Sequence, residues 1–358
     1  MSGTGDQHAP VRRRRGTISV PRVTLAHGGG GKAMRDLIDD VFVAAFENDM
    51  LARLEDQARI GLNELAKYGD RLAFTTDSYV VDPIVFPGGD IGKLAVCGTV
   101  NDLAVGGAKP LFLTCSMIIE EGFLVDELRV IARSMAATAR DASVTIVTGD
   151  TKVVQKGACD KLFINTSGIG VIRAGLDLGA DKARPGDIIV VNGVLGDHGA
   201  AILAARGDFQ LSAPIESDCA PLGGLIDALL AAAPNTRFMR DATRGGVASV
   251  LNELALASNV GVEIVEAQTP LREEVKGLCE ILGLDPLYLA NEGRIVAVVP
   301  AGDADAALAA MRTSPFGNGA TAIGRVVAHR PGRVVMQTVL GGRRIVDMLV
   351  GEQLPRIC

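Results

Sequence analysis

Apolar residues recur along this chain in two different rhythms. Over residues 17–26 they fall at Ile18, Val20, Val23 and Leu25, close to alternation, which predicts a strand. Over residues 34–46 they fall at Met34, Leu37, Ile38, Val41, Phe42, Ala45 and Phe46. Those three- and four-residue steps make one buried stripe of a helix. The same reading predicts strands at 71–81, 111–119, 144–147 and 161–172, with helices at 91–104 and 125–139. Residues 173–186 are rich in Gly, Asp, Arg and Pro, and Arg184-Pro185-Gly186-Asp187 is a turn signal. Beyond it strands are predicted at 187–192, 261–265, 293–299, 320–327, 332–338 and 343–346. Helices are predicted at 197–206, 221–232, 244–258, 270–282 and 302–312. No regular strand–helix–strand rhythm runs through this order, so the pattern favours an α+β fold over a doubly wound parallel sheet.

A length of 358 residues suggests two domains at about 150 residues each. The expected division is a basic, disordered extension at 1–16, an N-terminal domain at 17–178, a C-terminal α+β domain at 179–346 and a mobile tail at 347–358. Arg12 to Arg15 form a basic run, but no apolar segment follows it, so it reads as a solvated extension and not an export signal. The net charge of −6 argues against a general nucleic-acid binder, and with no tryptophan and 4% aromatics, stacking on bases is a poor expectation. No apolar run reaches the ~18 residues of a membrane span. The six cysteines are widely spaced, with no CxxC pair. They read as reduced thiols of a cytoplasmic protein.

Several segments carry candidate chemistry. His27-Gly28-Gly29-Gly30-Gly31-Lys32 is a glycine run opening a helix, and bare N–H groups there suit an anion. It is neither a Walker A loop nor a Rossmann fingerprint, and a hinge would look the same. Thr76-Asp77-Ser78, Asn101-Asp102 and Gly149-Asp150-Thr151-Lys152 are three acidic segments. Carboxylates converging from separate loops would hold magnesium and a nucleotide, although each alone reads as an ordinary cap or turn. Asp241-Ala242-Thr243-Arg244-Gly245-Gly246 opens a further helix and offers a phosphoryl group an arginine and close backbone. The chain ends Leu354-Pro355-Arg356-Ile357-Cys358. Chain ends tend to be exposed, so a terminal thiol is expected outside the core, and its exposure would be a liability unless it is used.

Taken in order, these segments resemble the ATP-binding superfamily of aminoimidazole ribonucleotide synthetase, selenophosphate synthetase and thiamin-monophosphate kinase. Five further segments bring the sequence closest to the hydrogenase maturation factors of the HypE family. They are the run from Asp82 to Lys93, Gly196-Asp197-His198-Gly199, Tyr288-Leu289-Ala290-Asn291-Glu292-Gly293, the His27–Lys32 loop and the terminal Pro-Arg-Ile-Cys. The match covers about residues 22–358. A selenophosphate synthetase is disfavoured, because the N-terminal glycine loop lacks a nucleophilic cysteine.

The resemblance implies a two-domain architecture like that of aminoimidazole ribonucleotide synthetase, dimerising through its N-terminal sheet domain. It also implies that Cys358 receives a carbamoyl group from the carbamoyltransferase HypF, that ATP and Mg²⁺ drive its dehydration to a thiocyanate, and that cyanide passes on through a HypC–HypD complex. In that scheme Asp77, Asp102 and Asp150 hold metal. Gly28, Gly29, Gly30, Gly31, Lys32, Asn101, Asp241, Thr243 and Arg244 contact nucleotide. Lys152 stabilises the phosphate or the imidate oxygen, and Glu292 is the base, with His198 as the alternative. The other five cysteines are structural. A tail of some eleven residues reaches at most ~35–40 Å, enough to carry the thiol out and back. Two other readings stand beside this one: a superfamily enzyme acting on a free small molecule, and a nucleotide-binding carrier without turnover.

Overall fold

A computed structural model describes residues 16–207, 214–351 and 354–358. Of the expected N-terminal extension, all but Gly16 lies outside these residues. The N-terminal part begins with a helical run, α1 (Lys32–Leu37), a π-helical turn at Ile38–Val43 and α2 (Ala44–Phe46), followed by α3 (Leu62–Ala66). Four long strands follow in part: β1 (Arg71–Tyr79), then the small hairpin of β2 (Val85–Phe86) and β3 (Gly89–Asp90), helix α4 (Ile91–Val105), β4 (Ala108–Glu120), helix α5 (Val125–Asp141), β5 (Thr145–Val154) and β6 (Leu162–Ile172). The long strands form one sheet in the order β1-β6-β4-β5, antiparallel except for the β4–β5 pair.

The C-terminal part carries β7 (Ile188–Val191), α6 (Asp197–Ala205), α7 (Gly223–Ala232), β8 (Phe238–Asp241), α8 (Gly246–Ala257), β9 (Gly261–Val265) and α9 (Glu273–Leu282). It continues with β10 (Ile295–Val299), α10 (Ala304–Met311), β11 (Thr321–Val327), β12 (Arg333–Gln337) and β13 (Arg343–Val346). Its seven strands lie in the order β13-β12-β9-β11-β7-β10-β8, with only β12–β9 parallel. The two sheets with helices segregated around them are the α+β arrangement expected.

The expected strand at 17–26 is absent. Val23 is fully buried, but Val20 and Leu25 face solvent and Pro21 interrupts the run, so only Arg22 bridges to Leu124 before a 3₁₀ turn at Leu25–Gly28. Strand β8 was not predicted, since its four residues are too few to show alternation.

Helix α4 is apolar on all sides, as its sequence IGKLAVCGTVNDLAV requires, and it is buried almost throughout. It packs on β1 and β6 with one flank and on α7 and β8 of the other domain with another. The N-terminal core runs without a break into Cys219, Ala290, Ile357 and Cys358, so the chain end is part of it. Among the described residues no helix is long and apolar enough to cross a membrane.

Candidate active site at the seat of the C-terminal tail

The terminal thiol, expected outside the core, is inside it. Cys358 is only 6% exposed and Ile357 only 5%. An apolar residue followed by a small thiol can fill a gap in the core, and backbone bonds hold them there. The tail lies against the segment that continues β1: Val80 N–H donates to a main-chain oxygen of Cys358 at 3.1 Å, and Asp82 N–H to the Arg356 carbonyl at 3.2 Å. Arg356 Nε donates to the Val80 carbonyl at 2.9 Å while its Nη1 pairs with Asp160 at 2.5 Å. From the end of α6, Arg206 donates to the carbonyls of Asp82, Pro355 and Arg356. His198 Nε2 lies 2.8 Å from the Ile357 carbonyl.

Arg244 Nε reaches Cys358 Sγ at 2.9 Å. This arginine, expected on phosphate, touches the sulfur. Its turn is shaped by Gly245 and Gly246, both at positive φ, and a Cβ on Gly246 would run into the Leu287 and Leu289 carbonyls. Burial first, and then the Glu292 carboxyl, push the Cys358 thiol up to about 12, so the docked sulfur keeps its proton.

Glu292 is 3% exposed, and its Oε1 has no hydrogen-bond partner. Burial, with further contributions from Cys219 and from the acids Asp241, Asp218 and Asp77, drives its pKa well above the usual carboxyl range. A buried carboxyl with a free oxygen and a raised pKa near the Cys358 sulfur is a candidate for proton transfer. Two neighbours fix its backbone: Asp218 Oδ1 accepts the Glu292 N–H at 3.0 Å, and Asn101 Nδ2 donates to the Ala220 carbonyl at 3.0 Å and, more weakly, to that of Glu292 at 3.4 Å. Asn101 also accepts from Leu222 N–H. It was expected to touch nucleotide; instead it is buried, and its amide ties the two domains together.

Beside this seat a groove of about 600 Å³ runs between the domains, lined by Thr75, Asp102, Arg240, Asp241, Thr243 and Arg244 among others. Burial and the neighbouring acid Asp77 raise Asp102 to about 6, against the Thr75 hydroxyl bonded to it at 3.1 Å. Burial, with Asp102 as the next cause, raises Asp241 to about 7. Asp102 thus opposes the ionisation of Asp241, and a divalent cation against this pair would relieve that repulsion.

Within one chain Asp150 is not brought beside Asp77 and Asp102, with which it was expected. It pairs in register with Ser116, then Asn165, then Ser78. It thus lies three strand spacings, about 14 Å, across the sheet and on the opposite face from Asp77. Among the described residues no three acidic, histidine or cysteine side chains form a metal cluster. The glycine loop sits with Asp150: Gly28 packs on Val153, Lys152 pairs with Asp150 at 3.0 Å, and Lys32, 86% exposed, pairs with Asp36 at 2.5 Å. The candidate residues therefore fall into two separate groups on the chain. The residues that sequence reasoning missed are Arg206 and Asp218, which act on backbone groups, and Asp160 and Ser217, which bond the Arg356 and His198 side chains; no motif marks any of them.

Residues 55–172 match the model of the N-terminal domain of AIR synthase related proteins and residues 184–337 that of their C-terminal domain, so the chain belongs to that family. Within it the chain is a member of the HypE group. It is 64% identical to the carbamoyl dehydratase HypE of Rhodobacter capsulatus over 337 residues, 94% of this chain and 98% of that one. Among solved structures it resembles hydrogenase maturation protein HypE in complex with ATP, with a TM-score of 0.89, 48% identity and coverage of 94% and 99%. It also resembles a chain of a HypE–HypF complex, with a TM-score of 0.76, 46% identity and coverage of 89% and 100%.

Proposed function

We propose that this protein is an ATP-dependent carbamoyl dehydratase that works on its own C-terminal cysteine during hydrogenase maturation. The observation that carries this reading is the position of Cys358 Sγ, in the core, near the orphaned carboxyl of Glu292 and against Arg244, which itself lines the groove. A free-substrate enzyme has no use for its last residue there, and a passive carrier has no use for a buried base.

The carbamoyltransferase HypF would load the sulfur as a thiocarbamate. The carbamoyl oxygen attacks the γ-phosphorus of ATP, ADP departs, and one N–H proton is lost. The remaining N–H proton then leaves as the C–O bond breaks, which releases phosphate and forms the C≡N bond of the thiocyanate. Glu292, once ionised, would take protons from nitrogen, and Arg244 would hold the sulfur and the phosphorylated oxygen; the Arg244–Cys358 contact and the unpartnered Glu292 oxygen support these roles. Phosphoryl transfer depends mainly on such positioning and on neutralising charge. Asp102 and Asp241, which both line the groove, would hold Mg²⁺ together with the phosphates, whose charge it would neutralise. The thiocyanate then passes its cyanide to a HypC–HypD complex.

A homodimer through the N-terminal sheets would account for the two groups. Leu72 and Phe74, 60% and 70% exposed, lie on the face of β1 that β6 and α4 leave open. Pairing there would let the glycine loop, Asp150 and Lys152 of one chain serve the groove of the other.

The test is to incubate the protein with HypF, carbamoyl phosphate and ATP and weigh the C-terminal peptide. A carbamoyl adduct should give way to a lighter cyano adduct, and Cys358→Ala should show neither. Persistence of the carbamoyl adduct with ATP present would overturn the reading.

A further inference from the structure

His198 and the loop after the α6 region form a small hydrogen-bonded chain with a definite direction. The Ile357 carbonyl can only accept, so the 2.8 Å contact requires the proton on His198 Nε2. Burial lowers the histidine's pKa, which keeps the ring neutral and leaves Nδ1 a bare acceptor. The Ser217 hydroxyl donates to it at 2.8 Å and itself accepts the Cys219 N–H at 3.1 Å. Phe86 packs edge-on to the imidazole at 5.5 Å and fixes its plane. Ser217 N–H in turn is held by the Pro87 carbonyl at 2.9 Å. Every hydrogen-bonding direction of the ring is used, and none is left for a reacting group.

The next residue of that loop, Asp218, is the one that accepts the Glu292 N–H. The loop thus touches both ends of the chemistry, through Ser217 to the tail and through Asp218 to the base. We propose that His198 is a positioning residue for the dehydration: as a fixed donor it seats the Ile357 carbonyl and so places Cys358 Sγ beside Arg244, and the Ser217–Asp218 loop holds this seat in register with Glu292. This inference rests on the proposed dehydration and replaces the alternative role of His198 as base. The neutral tautomer is set by Ser217, in the way a neighbouring hydrogen bond usually sets which ring nitrogen carries the proton.

The test uses the full chain in two arms. Without partner or nucleotide, alkylation of Cys358 by N-ethylmaleimide should be about tenfold faster in His198→Ala than in the parent, the expected size for losing one buried hydrogen bond. In His198→Gln, whose amide N–H can reach the same carbonyl, it should stay near the parental rate. Ser217→Ala, which leaves the ring in place, should fall between. With HypF, carbamoyl phosphate and ATP, carbamoyl loading should be as fast as in the parent or faster in all three. Single-turnover conversion to thiocyanate should slow about tenfold in His198→Ala and recover in His198→Gln. Parental alkylation rates in both alanine variants would overturn the seat. A glutamine variant that seats the tail yet converts as slowly as alanine would make His198 a proton carrier and overturn the positioning role. If the parent itself yields no thiocyanate, the functional reading fails, and the alkylation rates still decide the seat.

Discussion

At the scale of single residues, the pKa values of the sulfur and of its neighbouring carboxyl give the site a measurable pH response. Docked, the Cys358 thiol holds its proton up to about 12; released, a thiol ionises near about 8.5. The docked state therefore binds the proton more tightly, so docking is fully favoured below the free thiol's pKa and weakens as the pH rises through it. Alkylation of Cys358 should keep accelerating between roughly pH 8.5 and 10, where a free thiol levels off, and a plateau at the free-thiol value would contradict a buried resting state. Glu292 follows the same sign. Its raised pKa means that ionising it inside the fold costs stability at neutral pH. In protein free of nucleotide and metal, Glu292→Gln should raise the melting temperature at pH 7–8, and the gain should shrink as the pH falls toward that of an ordinary carboxyl. The same variant should lose conversion of thiocarbamate by about 10²–10⁴-fold, the usual worth of a general base.

At the scale of elements, the long periodic segments were the legible ones. Helix α5, with its amphipathic stripe, and strands such as β6 and β9 stand where alternation put them. The N-terminal strand failed because Pro21 and one-sided burial overrode a short alternation, and β8 failed because four residues carry no period. The register of β5 on β4 was also beyond pattern reading. It shifts between Leu113 and Thr114, and Gly149 follows that shift with no room for a side chain, since a Cβ would meet the Cys115 carbonyl. Gly149→Ala should therefore lower stability by about 1–3 kcal/mol, read as a drop in the thermal unfolding midpoint, and should disturb Asp150 next to it. A parental midpoint would mean that β5 can slide to make room.

At the scale of the whole molecule, the sequence named most of the chemistry but not its grouping. Asp77 and Asp150 look alike as acidic segments, yet only strand order and register show that they lie far apart and on opposite faces of the sheet. Arg206 and Asp218 stayed hidden for a related reason: they act on backbone carbonyls and N–H groups, which leave no trace in residue type. The division into two groups makes assembly measurable. Phe74→Glu should give a monomer by light scattering and, by separating the two halves, depress ATP-dependent conversion while leaving Cys358→iodoacetamide labelling intact. A dimer that survives this substitution would place the interface elsewhere.

The main-chain oxygen of Cys358 is engaged by Val80 and the residue is nearly enclosed, so the seat leaves little room beyond the thiol. A read-through codon or a purification handle appended there would need space that packing has already filled. Such a molecule would fold, bind nucleotide and look intact, yet be unable to present its sulfur from within. Handles belong at the other terminus.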